Sequence, residues 1–330
     1  MQYHNKMKSN ILLLAILMVM MSCHHKQTSE SSAEEHPVAG VQAPPFNPDS
    51  AYFYVSKQVA FGPRVPDMPA HQHCLAWLTG KLKTFADTVF VQRTTVTSFQ
   101  NKPLPCINLI ASFNPSASSR ILLLAHWDTR PWADHDTADQ DKPIDGADDG
   151  ASGVAVCLEI ARQLHSKSPG CGVDILLTDV EDYGSENDNN SWGLGTQYWA
   201  RHPHIPSYKA NFGILLDMVG GRGSQFRMEQ VTRHYAGGYA RKIWDAGNDL
   251  GFSYYFPYDD MGNVSIIDDH YFINTLTNIP TADIIALRPD GSFPPYHHTH
   301  GDNMAVIDRK TLAAVGQTVL SVIYNFSDYE

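Results

Sequence analysis

The sequence predicts one α/β domain with a mixed, mostly parallel central sheet and helices on both faces. Three observations point there. Apolar runs of strand length recur at residues 121–125, 173–178, 212–218 and 282–287; stretches with helical periodicity lie between them; and each run ends in, or is followed by, acidic or histidine-bearing sequence. Strands alternating with helices imply a sheet buried on both faces. In such open sheets a site forms outside the carboxyl ends of the strands, so the recurring acids have the one-dimensional form of an active site.

Taken in order, residues 49–61 read as a helix ended by Phe61-Gly-Pro-Arg-Val-Pro, and residues 70–85 as a second, with Leu75, Leu78 and Leu82 on one face. Residues 88–98 and 107–113 are β-branched or continuously apolar and read as strands separated by Asn101-Lys-Pro-Leu-Pro. Residues 121–125 form the first fully buried strand. A helix over 154–165 joins it to the next at 173–178, with Ser152 as N-cap and Val154, Cys157, Leu158, Ala161 and Leu164 at helical spacing. Residues 183–195, YGSENDNNSWGLG, read as a solvated lid; their acids do not have the spacing of a hand-type calcium loop. There follow a helix at 197–202, a strand at 212–218, and a helix at 235–250 with Tyr239, Ile243 and Trp244 facing inward. A strand at 282–287 and a closing helix capped by Asp308, with Leu312, Val315, Val319, Val322, Ile323 and Phe326 as its buried stripe, complete the chain.

At 330 residues there is ample chain for a single large core. A net charge of −11, from 24 basic and 35 acidic residues with no basic cluster, argues against nucleic acid as a partner. Residues 1–23 read as a targeting segment: Lys6 and Lys8 precede the apolar run 11–21, which is short for a membrane span. Ser22-Cys23 at its end resembles the processing site of a bacterial lipoprotein, the alternative being an ordinary cleaved signal peptide. Either way the protein is expected to be exported; on the lipoprotein reading it is periplasmic and held to the membrane only by a lipid at Cys23. Residues 24–46 then read as a disordered tether and 47–330 as the catalytic domain. The remaining cysteines have irregular spacing that shows no disulfide framework: Cys74 and Cys157 are expected to be buried thiols, and Cys106 and Cys171, both just before apolar runs, are the pair to test for a bridge.

The stretch 121–153 carries the first chemical group. His126 and Asp128 are two apart and leave the same face while the strand stays extended. The Gly146-Ala-Asp-Asp-Gly turn sets Asp149 beside a helix start. Glu181 and Asp182 follow the next run, Asp217 lies in the third, and His297, His298 and His300 follow the last. An ion shared by Asp149, Asp182 and His298 would have two carboxylates, an imidazole and an open fourth position. That is a catalytic rather than a structural zinc, because no cysteine cluster closes the sphere. Glu181, next to a ligand, would lie near the open position, where it can move protons. His126 and Asp217 either complete a second metal site sharing Asp149 or remain hydrogen-bonded groups behind the first.

With His126-x-Asp128, Gly146-Ala-Asp-Asp, Glu181-Asp182, Leu215-Leu-Asp-Met-Val-Gly and Tyr296-His-His-Thr in this order, residues 50–330 resemble the zinc aminopeptidases of the M28 type. Within that group the chain looks most like the animal-type glutaminyl cyclases (glutaminyl-peptide cyclotransferases) and their bacterial counterparts. Asp268-Asp269-His270, Phe293-Pro-Pro before His297-His298-Thr299, and Trp192 after the acid pair carry that likeness. Aminopeptidases of the fold more often have Ser-Asp-His where this chain has Asp268-Asp269-His270.

The resemblance implies a zinc-aminopeptidase-like fold and one zinc per chain, held by Asp149, Asp182 and His298. It implies Glu181 as proton shuttle, with Asp217 and Asp268 hydrogen-bonding around it, and Trp192 as a wall of the substrate pocket. Asp182 stands where a Glu is common, and His297 where animal enzymes have a Trp. His126 and Asp128 are retained as second-metal or supporting residues. The implied reaction is cyclisation of an N-terminal glutamine on peptides and exported proteins, by a monomer. The runner-up is a di-zinc exopeptidase, and a third class is a surface lipoprotein that keeps the fold for binding.

Overall fold

The computed structural model describes residues 42–259 and 261–329. The leader, Cys23 and the tether as far as residue 41 lie outside the described residues. Residues 42–46, expected in the tether, instead lie along the domain: Phe46 is buried, and its backbone N–H donates to Gln317 Oε1 at 2.8 Å.

Two helices, α1 (Pro48–Val59) and α2 (Pro69–Phe85), precede the sheet. Asn47 caps α1 by accepting from Asp49 and Ser50, with Pro48 in the first turn, where its missing N–H costs nothing. The strands are β1 (Thr88–Thr97), β2 (Pro103–Phe113), β3 (Arg120–His126), β4 (Gly172–Thr178), β5 (Phe212–Asp217) and β6 (Thr281–Ile285). They form one sheet in the order β1-β2-β4-β3-β5-β6. β1 and β2, and β2 and β4, pair antiparallel; the β4–β3, β3–β5 and β5–β6 pairs are parallel. β2 begins earlier than its apolar run suggests. Pro103 and Pro105 pair with β1 only, because β4 joins β2 from Leu109 onward, so the prolines' missing donors break no ladder on that side.

The crossovers are α3 (Ala151–Ser166), α4 (Leu194–Arg201), α5 (Gln230–Asp249) and α6 (Asp269–Leu276), and α7 (Arg309–Tyr324) follows the last strand. Alternation along the buried strands sorts side chains into two cores. Ile121, Leu123, Val173, Ile175, Ile214 and Leu216 join the core that includes α1, α3, α5 and α7 residues. Leu122, Leu124, Leu176 and Leu215 meet Trp199 of α4 and Ile273 of α6 on the other face.

Three expectations are corrected. Ser152 is not the cap of α3: the helix starts at Ala151 after Gly150, and Ser152 Oγ donates to Asp148 O and accepts from Val219 N. The helix expected from 235 begins at Gln230, because the buried Glu229 carboxylate accepts from Val231 N and Thr232 N; a kink at Ala236 interrupts it. Helix α6, which sequence periodicity did not reveal, is capped by Asp268. Cys74, Cys106 and Cys157 are buried free thiols, so the Cys106–Cys171 bridge does not form. No described helix is long and apolar enough to cross a membrane.

Candidate metal centre and pocket

The site lies where β3, β4 and β5 end. β3 delivers His126, the loop after it Asp128 and Asp149, the loop after β4 Glu181 and Asp182, and β5 Asp217. Gly150 has φ +92°, and a Cβ there would meet Asp128 O at 2.9 Å and His126 Cε1 at 3.0 Å. Only glycine turns the chain so tightly around His126 and sets Asp149 into the cavity. Asp128 leaves the site proper. Its oxygens accept the backbone N–H groups of Glu181 and Asp182 at 3.1 and 3.2 Å, and one lies 3.5 Å from His126 Nδ1. It therefore ties the β3 loop to the acid pair instead of facing a ligand. Behind that pair, His71 of α2 contacts Asp179 at 2.9 Å, and Asp179 accepts from Ile107 and Val180; Val180, with φ +56°, turns the chain into Glu181.

One ligand atom each from Asp149, Asp182 and His298 lies within 4.8 Å of the others. Two ligands at about 2.0–2.1 Å from a tetrahedral ion sit about 3.3 Å apart. His298 Nε2 is 3.2 Å from Asp182 Oδ1 and 3.6 Å from Asp149 Oδ2. Both Asp182 oxygens are buried without a hydrogen bond. Burial and the neighbouring Asp149 push Asp182 well above the usual carboxylate range, whereas His126 overcomes the burial of Asp149 and holds it low. Burial brings His298 down to about 3, so its imidazole is neutral, the form that binds metal. Orphaned oxygens, crowded carboxylates and a neutral imidazole at these spacings fit a divalent cation.

A second group, His126, Asp149 and Asp217, is equally close. Here His126 Nε2 lies 3.0 Å from Asp149 and is hydrogen-bonded to Asp217 at 3.3 Å. Burial disfavours the charged ring, but its bonds to Asp128, Asp149 and Asp217 win and raise its pKa. Nε2 of this one imidazole is thus shared between two carboxylates.

The cavity, ≈ 280 Å³, has Asp149, Glu181, Asp182, Asp217 and Asp268 among its lining residues, with Trp192, Ile266, Ile267 and Phe293 as apolar walls. Burial, with Asp268 next, pushes Glu181 well above the usual carboxylate range. Asp268 Oδ1 caps α6 while Oδ2 makes no hydrogen bond, and burial and Asp217 raise its pKa. Asp217 is raised to about 6, chiefly by burial. Trp192 lies nearly parallel to His298, centroids 6.0 Å apart, and donates to Ser185 O; a Cβ on Gly184 would strike its ring at 2.1 Å. His297 stacks on His298 at 3.7 Å. His300 is not brought in; it is exposed, near Asp139 O. Of the predicted lid, residues 186–190 are exposed; Glu186 contacts His135 at 3.0 Å, and none of the lid's acids joins the Asp149, Asp182, His298 or the His126, Asp149, Asp217 group.

Sequence reasoning missed Arg130, Asp134 and Asp302. Arg130 donates to Asp182 O and Gly184 O and pairs with Asp134, which sits 3.7 Å from His298 Nδ1. Asp302 accepts from Asp148 N at 2.7 Å and Asp149 N at 3.1 Å. Proximity to His-x-Asp and to the late histidines was the available signal.

The model of peptidase family M28 matches residues 108–323. Similar solved structures include a Zn-dependent exopeptidase from Parabacteroides distasonis ATCC 8503, 48% identical, covering 86% of this chain and 100% of that one, TM-score 0.83. A Bacteroides thetaiotaomicron glutaminyl cyclase bound to N-acetylhistamine is 46% identical, covering 86% and 99%, TM-score 0.84. A Tannerella forsythia glutaminyl cyclase is 49% identical, covering 86% and 99%, TM-score 0.82. Among curated sequences, the uncharacterized protein YfbL of Escherichia coli (strain K12) is 37% identical over 97 residues, a match spanning 28% of this chain and 29% of that protein.

Proposed function

The chain belongs to peptidase family M28, and on that premise we propose that it cyclises the N-terminal glutamine of peptides and exported proteins to pyroglutamate with release of ammonia, using one zinc ion. The observation that carries this reading is the contrast between the Asp149, Asp182, His298 group and the adjoining His126, Asp149, Asp217 group. Both Asp182 oxygens are buried without a hydrogen bond, whereas Nε2 of His126 is already bonded to Asp217. One ion suffices, and an intramolecular attack needs no metal-activated water.

Asp149, Asp182 and His298 hold the zinc, which supplies a Lewis acid for the γ-carbonyl of the glutamine side chain. Trp192, Ile266, Ile267 and Phe293 fold the side chain back and exclude water, so that the α-amine sits in attack distance of the γ-carbon. Glu181 accepts a proton from the amine as the N–C bond forms and returns it to the amide nitrogen as the C–N bond breaks. Its raised pKa brings the carboxyl closer to the pH at which it must both take and give that proton. Beyond burial, the neighbouring charge of Asp268, whose Oδ2 is buried without a hydrogen bond, raises the Glu181 pKa, and Asp217 holds His126 in place. Asp128 positions the acid pair, and His297 walls the pocket on the side facing Phe293.

Glu181→Gln is expected to abolish the loss of one ammonia from a Gln-initiated peptide, read by mass, with metal content unchanged. Near-normal turnover would remove the assigned role. A di-zinc exopeptidase is the second reading, favoured by the closeness of His126, Asp149 and Asp217; two zincs per chain and release of free leucine from a Leu-initiated peptide would establish it.

The basic start, the apolar run and Ser22-Cys23 support export and a lipid anchor at Cys23 on the periplasmic side. Cys23→Ser should then move the protein from the membrane to the soluble fraction. The protein is further proposed to act as a monomer, which light scattering on the purified protein would test.

A further inference from the structure

At the mouth of the cavity two side chains that the cyclisation reading does not use, His135 and Glu186, meet His297, which that reading uses only as a wall. His135 and Glu186 line the rim with His297. His135 Nε2 is 3.0 Å from Glu186 Oε1, and the His135 ring centroid is 5.3 Å from that of His297. One ring nitrogen each of His135, His297 and His298 lies within 4.8 Å of the others. His297 itself makes no side-chain hydrogen bond; its nearest charged partner is Asp149 at 3.9 Å. His135 and Glu186 are 39% and 71% exposed, so an ion from solvent reaches them without any rearrangement of the core.

The geometry points to a second, weaker metal site at the pocket entrance, in which His135, His297 and Glu186 take a first-row divalent transition ion such as Zn²⁺ and thereby block substrate entry. Two imidazoles and a carboxylate are a zinc donor set, and imidazole donors suit Ni²⁺ and Cu²⁺ as well. The 3.0 Å separation of His135 and Glu186 is close to the spacing of two ligands on one tetrahedral ion. His298 stays with the inner ion through Nε2, so the rim group needs neither of that ion's carboxylates. Occupation of the rim leaves the inner centre loaded but closes the opening above Trp192 and Phe293, making the enzyme self-limiting when free zinc rises.

The test uses the full enzyme carrying one firmly held zinc, titrated with Zn²⁺ while bound metal is counted after equilibrium dialysis and turnover of a Gln-initiated peptide is followed. A second equivalent should bind, with turnover falling as it fills. In His135→Ala and in Glu186→Gln the second equivalent should weaken by roughly 10–100-fold while the first remains. Inhibition, normalised to each variant's own rate without added zinc, should shift to the same extent. The proposal is overturned if no second equivalent binds up to millimolar Zn²⁺. It is equally overturned if the second equivalent survives both rim variants and disappears in His126→Ala, which would assign it to the His126, Asp149, Asp217 group. The metal count does not depend on cyclisation, so absence of turnover with a normal count would fault the proposed reaction and leave the rim site standing.

Discussion

Asp302 illustrates how much of the site is built from residues that face backbone. Its two oxygens take the amides of Asp148 and Asp149, and Asp148 in turn accepts from Gly220 N and Tyr296 Oη. Asp149 is thus aimed by a carboxylate more than a hundred residues later in the chain. Asp302→Ala should weaken metal affinity by roughly 10–100-fold with the far-ultraviolet circular dichroism unchanged. Unaltered affinity in a folded variant would show that the loop holds its shape without it. Asp149, Asp182, Glu181 and His298 stood out in the sequence because ionisable residues at successive strand ends break an apolar pattern. Asp302, Arg130 and Asp134 did not, because a side chain that bonds main chain leaves no spacing to read.

At the level of elements, α5 and α6 are joined by a buried pair that periodicity does not reveal. Glu229 accepts from Val231 N and Thr232 N at the start of α5, and from Ile266 N, while His270 of α6 contacts it at 3.2 Å. Burial alone would raise the Glu229 pKa, but His270 and the two amides hold it below the ordinary 4.5. A depressed carboxylate stabilises the fold fully above its unfolded pKa and loses that contribution as pH falls through the folded one. Glu229→Gln should therefore cost about 1–3 kcal/mol at pH 7 by chemical denaturation. The gap from the wild type should narrow as pH drops below 4.5, the ordinary value of this carboxyl; a gap that widens on acidification would reverse the assignment. α6 escaped sequence analysis for a related reason. It has eight residues, and its first turn, Asp269 and His270, is polar yet buried, so the usual apolar stripe is absent.

For the whole molecule, the decisive contacts are those between the ends of the chain and the middle. Phe46 packs on Gly316 of α7, where a Cβ would come within 2.2 Å of its ring, and Gln163 of α3 donates to Pro45 O. The segment before α1 is thus part of the core, and Phe46→Ala should destabilise the protein by about 3–5 kcal/mol in chemical denaturation. A change under about 0.5 kcal/mol would return residues 42–46 to the tether. The sequence by itself determined the fold class, the order of most elements and the likeness to the M28 zinc enzymes, because period and motif order are local properties of a chain. Only the tertiary structure decided that β2 binds β4 antiparallel, that Asp128 serves backbone, that Nε2 of His126 is bonded to Asp217, and that His135 and Glu186 meet His297 at the rim. Each of these depends on distances between segments far apart in sequence, which are set by how the sheet stacks its strand ends.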